Sequence, residues 1–65
     1  MLRWTDINDI AIELSEMYPD EDTLKINLVT IRELVMSIYN FSDDPNRCGE
    51  KVLEAIQMAW IEELD

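Results

Sequence analysis

Apolar residues recur at helical spacing near the start of the chain. Between Asp6 and Tyr18 they fall on one stripe about 120° wide, which predicts an amphipathic helix over 6–18. Thr5 is the expected N-cap of this helix. Pro19 ends the helix, because the residue before a proline is disfavoured in the α conformation.

Two further helices are predicted along the rest of the chain. Thr30 and Glu33 have the spacing of a capping box, which indicates a second helix over 31–40. Its core face is expected to carry apolar and aromatic side chains, namely Ile31, Leu34, Val35, Ile38, Tyr39 and Phe41. A short extended piece is expected near Ile26, where apolar and polar residues alternate. The third helix is predicted over about 48–63.

These elements predict a mainly α fold, a small three-helix domain over 1–65 with a short extended wing near Ile26. A chain of this length buries only about 60% of its unfolded surface, so it builds a single modest core. Trp4 and Trp60 are expected in that core or at its edge.

The net negative charge of the chain argues against nucleic acid as a binding partner. The 65 residues include 15 acidic and 5 basic side chains, for a formal net charge of −10. Such a chain repels phosphate backbones, so no nucleic-acid partner is expected. The third helix offers only Lys51, with Arg47 just before it, which argues against a basic recognition helix.

Composition also disfavours catalysis and a membrane location. The chain has no histidine and one glycine, so it lacks a neutral-pH proton shuttle and a phosphate-binding loop, and we expect no enzyme. No apolar stretch approaches the roughly 20 residues of a membrane span. The single cysteine, Cys48, cannot form an internal disulfide, so we expect a cytoplasmic protein. We also expect the protein to be a monomer.

The acidic residues are clustered. Four of them share an arc of about 80° on the first predicted helix, and like charges one turn apart destabilise a helix. That cost indicates a function in binding a divalent cation or a basic protein surface. A calcium-binding EF-hand loop starting at Asp20 is excluded, because Leu24 and Lys25 occupy a ligand position and the glycine position. A solvated face that only keeps the protein soluble is the plain alternative.

The pattern yields two sets of candidate residues. The metal candidates are Asp6, Asp9, Asp20, Asp22, Asp43 and Asp44. The partner-binding candidates are Asp43, Asp44, Glu50, Glu54, Met58, Ile61 and Glu62. The last set includes Met58 and Ile61 because they lie on the polar side of the third helix, where an apolar patch rimmed by glutamates suits docking.

The order of short motifs along the chain resembles the IscX family of bacterial iron–sulfur cluster assembly. The likeness covers nearly the whole length and rests on Trp4-Thr5-Asp6, Tyr18-Pro19-Asp20 with Asp22, Phe41 with Asp43-Asp44-Pro45, Glu50-Lys51, Leu53-Glu54-Ala55-Ile56 and Trp60. The chain departs from the family pattern at Ser42 and Ile31, where members often carry acidic residues, and Ile12 and Ile61 make its surface more apolar than the family pattern leads us to expect.

The resemblance implies a winged-helix-like, mostly helical fold that does not act on DNA. It also implies binding to the cysteine desulfurase IscS through an acidic surface and weak binding of ferrous iron, in the role of iron donor, adaptor or regulator. The positions that carry this expectation are Asp6, Asp20, Asp22, Asp43, Asp44, Glu50 and Glu54. Two alternatives stay open: an acidic protein-interaction domain, and a DNA-mimicking decoy, each with no role for a metal.

Overall fold

Three α-helices make up most of the protein, as the sequence predicts. The computed structural model describes residues 1–64, with α1 at Ile7–Met17, α2 at Leu28–Met36 and α3 at Glu50–Leu64. A short 3-10 turn at Pro45–Arg47 precedes α3. The prediction of a mainly α fold is confirmed.

The extended wing predicted near Ile26 is wrong. The segment before α2 is a turn, because the Asp22 carbonyl accepts hydrogen bonds from the backbone N–H groups of Lys25 and Ile26, both at 3.2 Å. Among residues 1–64 the extended pairing is limited to an isolated parallel bridge between Leu2 and Phe41. That bridge ties the N-terminal arm to the loop after α2.

The first helix begins one residue later than predicted. Asp6, rather than Thr5, occupies the N-cap position, and its Oδ2 accepts from the backbone N–H of Arg3 at 2.9 Å instead of capping the helix. The helix ends at Met17, just before Tyr18 and Pro19. The proline therefore marks the boundary as expected.

The second helix lies earlier in the chain than predicted. Asn27 is its N-cap, and its Oδ1 accepts from the backbone N–H of Thr30 at 2.8 Å. Thr30 therefore lies inside the first turn, and the capping box predicted from it is wrong. Because α2 ends at Met36, Tyr39 leaves the helical face and is fully exposed, which corrects its predicted place in the core.

The core lies where α3 packs against α1 and, over a smaller area, against α2. Its buried side chains are Trp4, Ile10, Ala11, Leu14, Ile31, Val35, Ile38, Leu53, Ile56 and Trp60. Both tryptophans are buried, as predicted. In the part of the chain that the structure describes, no helix is long and apolar enough to cross a membrane.

Candidate acidic docking surface

The largest uncompensated charge lies along α1 and the turn that follows it. Residues 4–24 contain seven acidic side chains and no basic one. We call these seven the N-terminal acidic surface: Asp6, Asp9, Glu13 and Glu16 on or beside α1, and Asp20, Glu21 and Asp22 in the turn. Asp6 and Glu13 are half-buried and the other five are exposed.

Asp43 and Asp44 have a structural role that the sequence did not reveal. The Asp43 Oδ2 accepts from the backbone N–H of Trp4 at 3.1 Å, and its Oδ1 accepts from the backbone N–H of Asp44 at 2.7 Å. The Asp44 carbonyl accepts from Trp4 Nε1 at 2.7 Å. The Asp44 side chain caps the 3-10 turn through the backbone N–H of Asn46, at 2.9 Å. These groups hold the N-terminal arm against the loop before α3.

The charge of Asp43 is also compensated locally. The backbone N–H groups of Trp4 and Asp44 hold the pKa of the Asp43 carboxyl below its ordinary value of 3.8. Burial opposes these two bonds by raising the pKa of Asp43, and the guanidinium groups of Arg47 and Arg3 lower it through smaller effects. Asp43 is therefore ionised at neutral pH but lies among positive groups, unlike the N-terminal acidic surface.

An open groove of about 520 Å³ lies beside this loop. Its lining combines apolar side chains with one acidic and one basic side chain, namely Trp4, Thr5, Ile7, Asp43, Arg47 and Val52.

The candidates on α3 form one stripe. Residues 50, 54, 58, 61 and 62 lie within about 120° of helix circumference at 100° per residue. Met58 is 60% exposed, Ile61 is half-buried, and the three glutamates of the stripe are exposed. Their part in partner binding stays a prediction.

The structure does not bring the six metal candidates together. Within residues 1–64, no three acidic or thiol side chains lie close enough to hold a metal ion. Asp6, Asp43 and Asp44 each use at least one carboxylate oxygen to accept a backbone N–H. Cys48 is half-buried and its Sγ contacts the Pro45 carbonyl at 3.2 Å. These residues do not fit an enclosed resident iron site, and iron binding stays a prediction.

Sequence reasoning missed one buried contact next to the acidic turn. Gln57 of α3 donates from Nε2 to the Thr23 carbonyl at 2.7 Å, although the two residues are 34 apart in the chain. Thr23 is only 6% exposed. A lone half-buried amide at the edge of the apolar face of a helix gives no sign of such a partner in the sequence.

The fold and the surface define a class: a small, acidic, three-helix protein whose charge is concentrated on one helix and one turn. Comparison with known proteins gives the family. The family model described as iron–sulphur cluster assembly matches residues 2–65. An uncharacterised protein of Pseudomonas aeruginosa is 56% identical over 64 residues, covering 98% of this chain and 97% of the relative. The chain belongs to the iron–sulphur cluster assembly family, which includes IscX, and the resemblance drawn from the sequence motifs is confirmed.

Proposed function

We propose that the protein is a non-enzymatic adaptor or regulator of iron–sulphur cluster assembly that binds the cysteine desulfurase IscS. Family membership supports the role in cluster assembly. The observation that carries the rest is the N-terminal acidic surface, with seven acidic residues and no basic residue in 21 consecutive positions. A surface of this kind is complementary to a basic groove on a partner.

Electrostatic attraction sets the orientation and the rate of the proposed association with IscS. Uncompensated charge on one face orients the protein as it approaches a basic partner and raises the association rate. The loop around Asp43 contributes less to this steering, because Arg3 and Arg47 offset its charge. The stripe on α3 offers a second contact area, with Met58 supplying apolar surface among the glutamates.

Ferrous iron is proposed as a loosely held cargo rather than a resident cofactor. Carboxylate oxygens suit hard or borderline divalent ions, and Fe²⁺ lies low in the affinity order of the first-row metals. Exposed groups such as Asp9, Asp20 and Asp22 support contact through one or two carboxylates with water completing the shell. Such binding is weak and exchanges rapidly.

The proposal is tested by two matched charge reversals. Glu16 lies in the last turn of α1 on the N-terminal acidic surface, and Glu33 lies near the end of α2 and is also exposed. Lysine near a helix C-terminus is favourable, so neither Glu16→Lys nor Glu33→Lys strains its helix. We expect Glu16→Lys to weaken binding to IscS about tenfold and Glu33→Lys by no more than about threefold. Isothermal titration calorimetry measures the affinity of both variants for IscS.

Salt supplies the control for the electrostatic origin of binding. Raising ionic strength from about 0.1 M to 1 M shortens the Debye length from about 10 Å to about 3 Å. The wild-type complex should be largely lost over this range. Binding that is indifferent to salt, or equal losses in the two reversals, would contradict the proposed surface.

A further inference from the structure

The acidic turn after α1 is fastened to α3 at both ends. At one end the ring of Tyr18 lies against Trp60, with ring centroids 6.5 Å apart, and the Tyr18 hydroxyl is 3.5 Å from Ser37 Oγ. At the other end the Thr23 carbonyl accepts the 2.7 Å hydrogen bond from Gln57 Nε2. The two anchor residues on α3, Gln57 and Trp60, are three positions apart and are therefore neighbours on one face of the helix.

Between these anchors the turn consists of Pro19 and three consecutive acidic residues, all of them exposed. Asp20, Glu21 and Asp22 are consecutive, exposed and of like charge, so their Coulomb repulsion favours spreading of the segment. Within the turn the backbone hydrogen bonds are long: Glu21 N–H to the Tyr18 carbonyl is 3.3 Å, and two bonds to the Asp22 carbonyl are 3.2 Å. The bond from Gln57 is the shortest contact that holds this segment.

Gln57 also satisfies a group that would be costly to leave unpaired. Thr23 is 6% exposed, and a buried carbonyl without a donor destabilises the conformation that buries it. Loss of the amide donor therefore favours movement of Thr23 toward water. The three carboxylates that precede it move with the backbone.

We propose that Gln57 is a positioning residue for partner docking, which holds the acidic turn in a preformed arrangement beside the acidic stripe of α1. This inference rests on the proposed function, because the turn is part of the surface that binds the desulfurase. A preformed turn loses less conformational freedom on binding, which raises affinity without adding a contact. Most of that gain resides in the dissociation rate, since the charges that steer association do not change.

The test uses two variants that each convert an amide into the isosteric carboxylate. Gln57→Glu replaces the donor to Thr23 with an acceptor, and Asn8→Asp adds the same charge at an exposed position in the first turn of α1. Charge alone predicts that both variants bind a basic partner at least as tightly as wild type. Positioning by Gln57 predicts that Gln57→Glu binds IscS about tenfold more weakly, through faster dissociation, while Asn8→Asp does not.

Hydrogen exchange supplies a readout that does not depend on the partner. The backbone N–H groups of Lys25 and Ile26 bond to the Asp22 carbonyl, so release of the turn should speed their exchange. Gln57→Met, which removes the donor without adding charge, should give the same faster exchange while far-ultraviolet circular dichroism shows intact helices.

The outcomes separate the two proposals. Equal affinity in Gln57→Glu and Asn8→Asp overturns the positioning role of Gln57, and so does unchanged exchange at Lys25 and Ile26. Failure of the wild-type protein to bind IscS at low salt overturns the proposed function instead. Faster exchange together with faster dissociation in Gln57→Glu supports the inference.

Discussion

The two tryptophans differ in a way that gives a sharp test of the structure. Both are buried, at 3% exposure for Trp4 and 0% for Trp60. The Trp4 indole donates from Nε1 to the Asp44 carbonyl at 2.7 Å. The Trp60 indole N–H is buried without a hydrogen-bond acceptor among the described residues. Trp4→Phe therefore removes a hydrogen-bonded N–H group, whereas Trp60→Phe removes an N–H group that has no acceptor.

The expected free energies follow from these contacts. In either variant the smaller ring costs about 1–2 kcal/mol in lost packing. Trp4→Phe also loses a hydrogen bond worth about 0.5–1.5 kcal/mol, for a total of about 1.5–3.5 kcal/mol. Trp60→Phe removes an unsatisfied donor whose burial costs about 1–3 kcal/mol, so its stability should stay within about 1 kcal/mol of wild type.

Urea denaturation followed by far-ultraviolet circular dichroism measures both variants without relying on tryptophan fluorescence. For a domain of this size, a difference of 1 kcal/mol moves the thermal midpoint by about 4–8 °C, so heating gives a second measurement. If Trp60→Phe proves as destabilising as Trp4→Phe, the assignment of a satisfied and an unsatisfied indole is wrong.

Three further predictions concern the loop, a helix cap and the core. Because folding lowers the pKa of the Asp43 carboxyl, its ionised form stabilises the fold above pH 3.8, and this contribution is lost as the pH falls through the lower pKa of the folded state. Asp43→Asn should therefore lower the free energy of unfolding at pH 6. In denaturation experiments the difference from wild type should shrink toward pH 2. Asn27→Ala should cost about 1 kcal/mol in urea denaturation because it removes the N-cap of α2, and no loss would contradict that cap. Ile38→Ala should lower the free energy of unfolding by about 2–4 kcal/mol because Ile38 is buried, whereas Tyr39→Ser should change it by less than about 0.5 kcal/mol because Tyr39 is exposed. Equal losses would place Tyr39 in the core after all.

Local patterns predict the first and third helices well and the second poorly. The apolar stripe of α1 is compatible only with a helix, and Pro19 predicts the end of that helix to within one residue. Before α2, two residues of capping type, Asn27 and Thr30, are available, and both are compatible with the apolar positions that follow. The local sequence does not decide between them, and only the structure shows that Asn27 is the cap.

The acidic surface follows from counting charges, whereas the roles of individual residues do not. Seven acidic residues without a basic one are visible in the sequence of 4–24. The bond from Asp43 to the backbone of Trp4 joins positions 39 residues apart, and the bond from Gln57 to Thr23 joins positions 34 apart. Only the folded chain brings these pairs together, so spacing rules could not distinguish structural carboxylates from those free to bind a partner.

Docking through the N-terminal acidic surface is tested most directly by a two-dimensional NMR titration of the isotope-labelled protein with unlabelled IscS at low salt. If the N-terminal acidic surface binds IscS, backbone signals from the exposed side of α1 and from the turn at residues 19–22 shift or broaden first, with smaller changes at the loop around Asp43. Changes confined to the exposed face of α2, around Val29 and Met36, with the N-terminal acidic surface unaffected, would contradict docking through that surface.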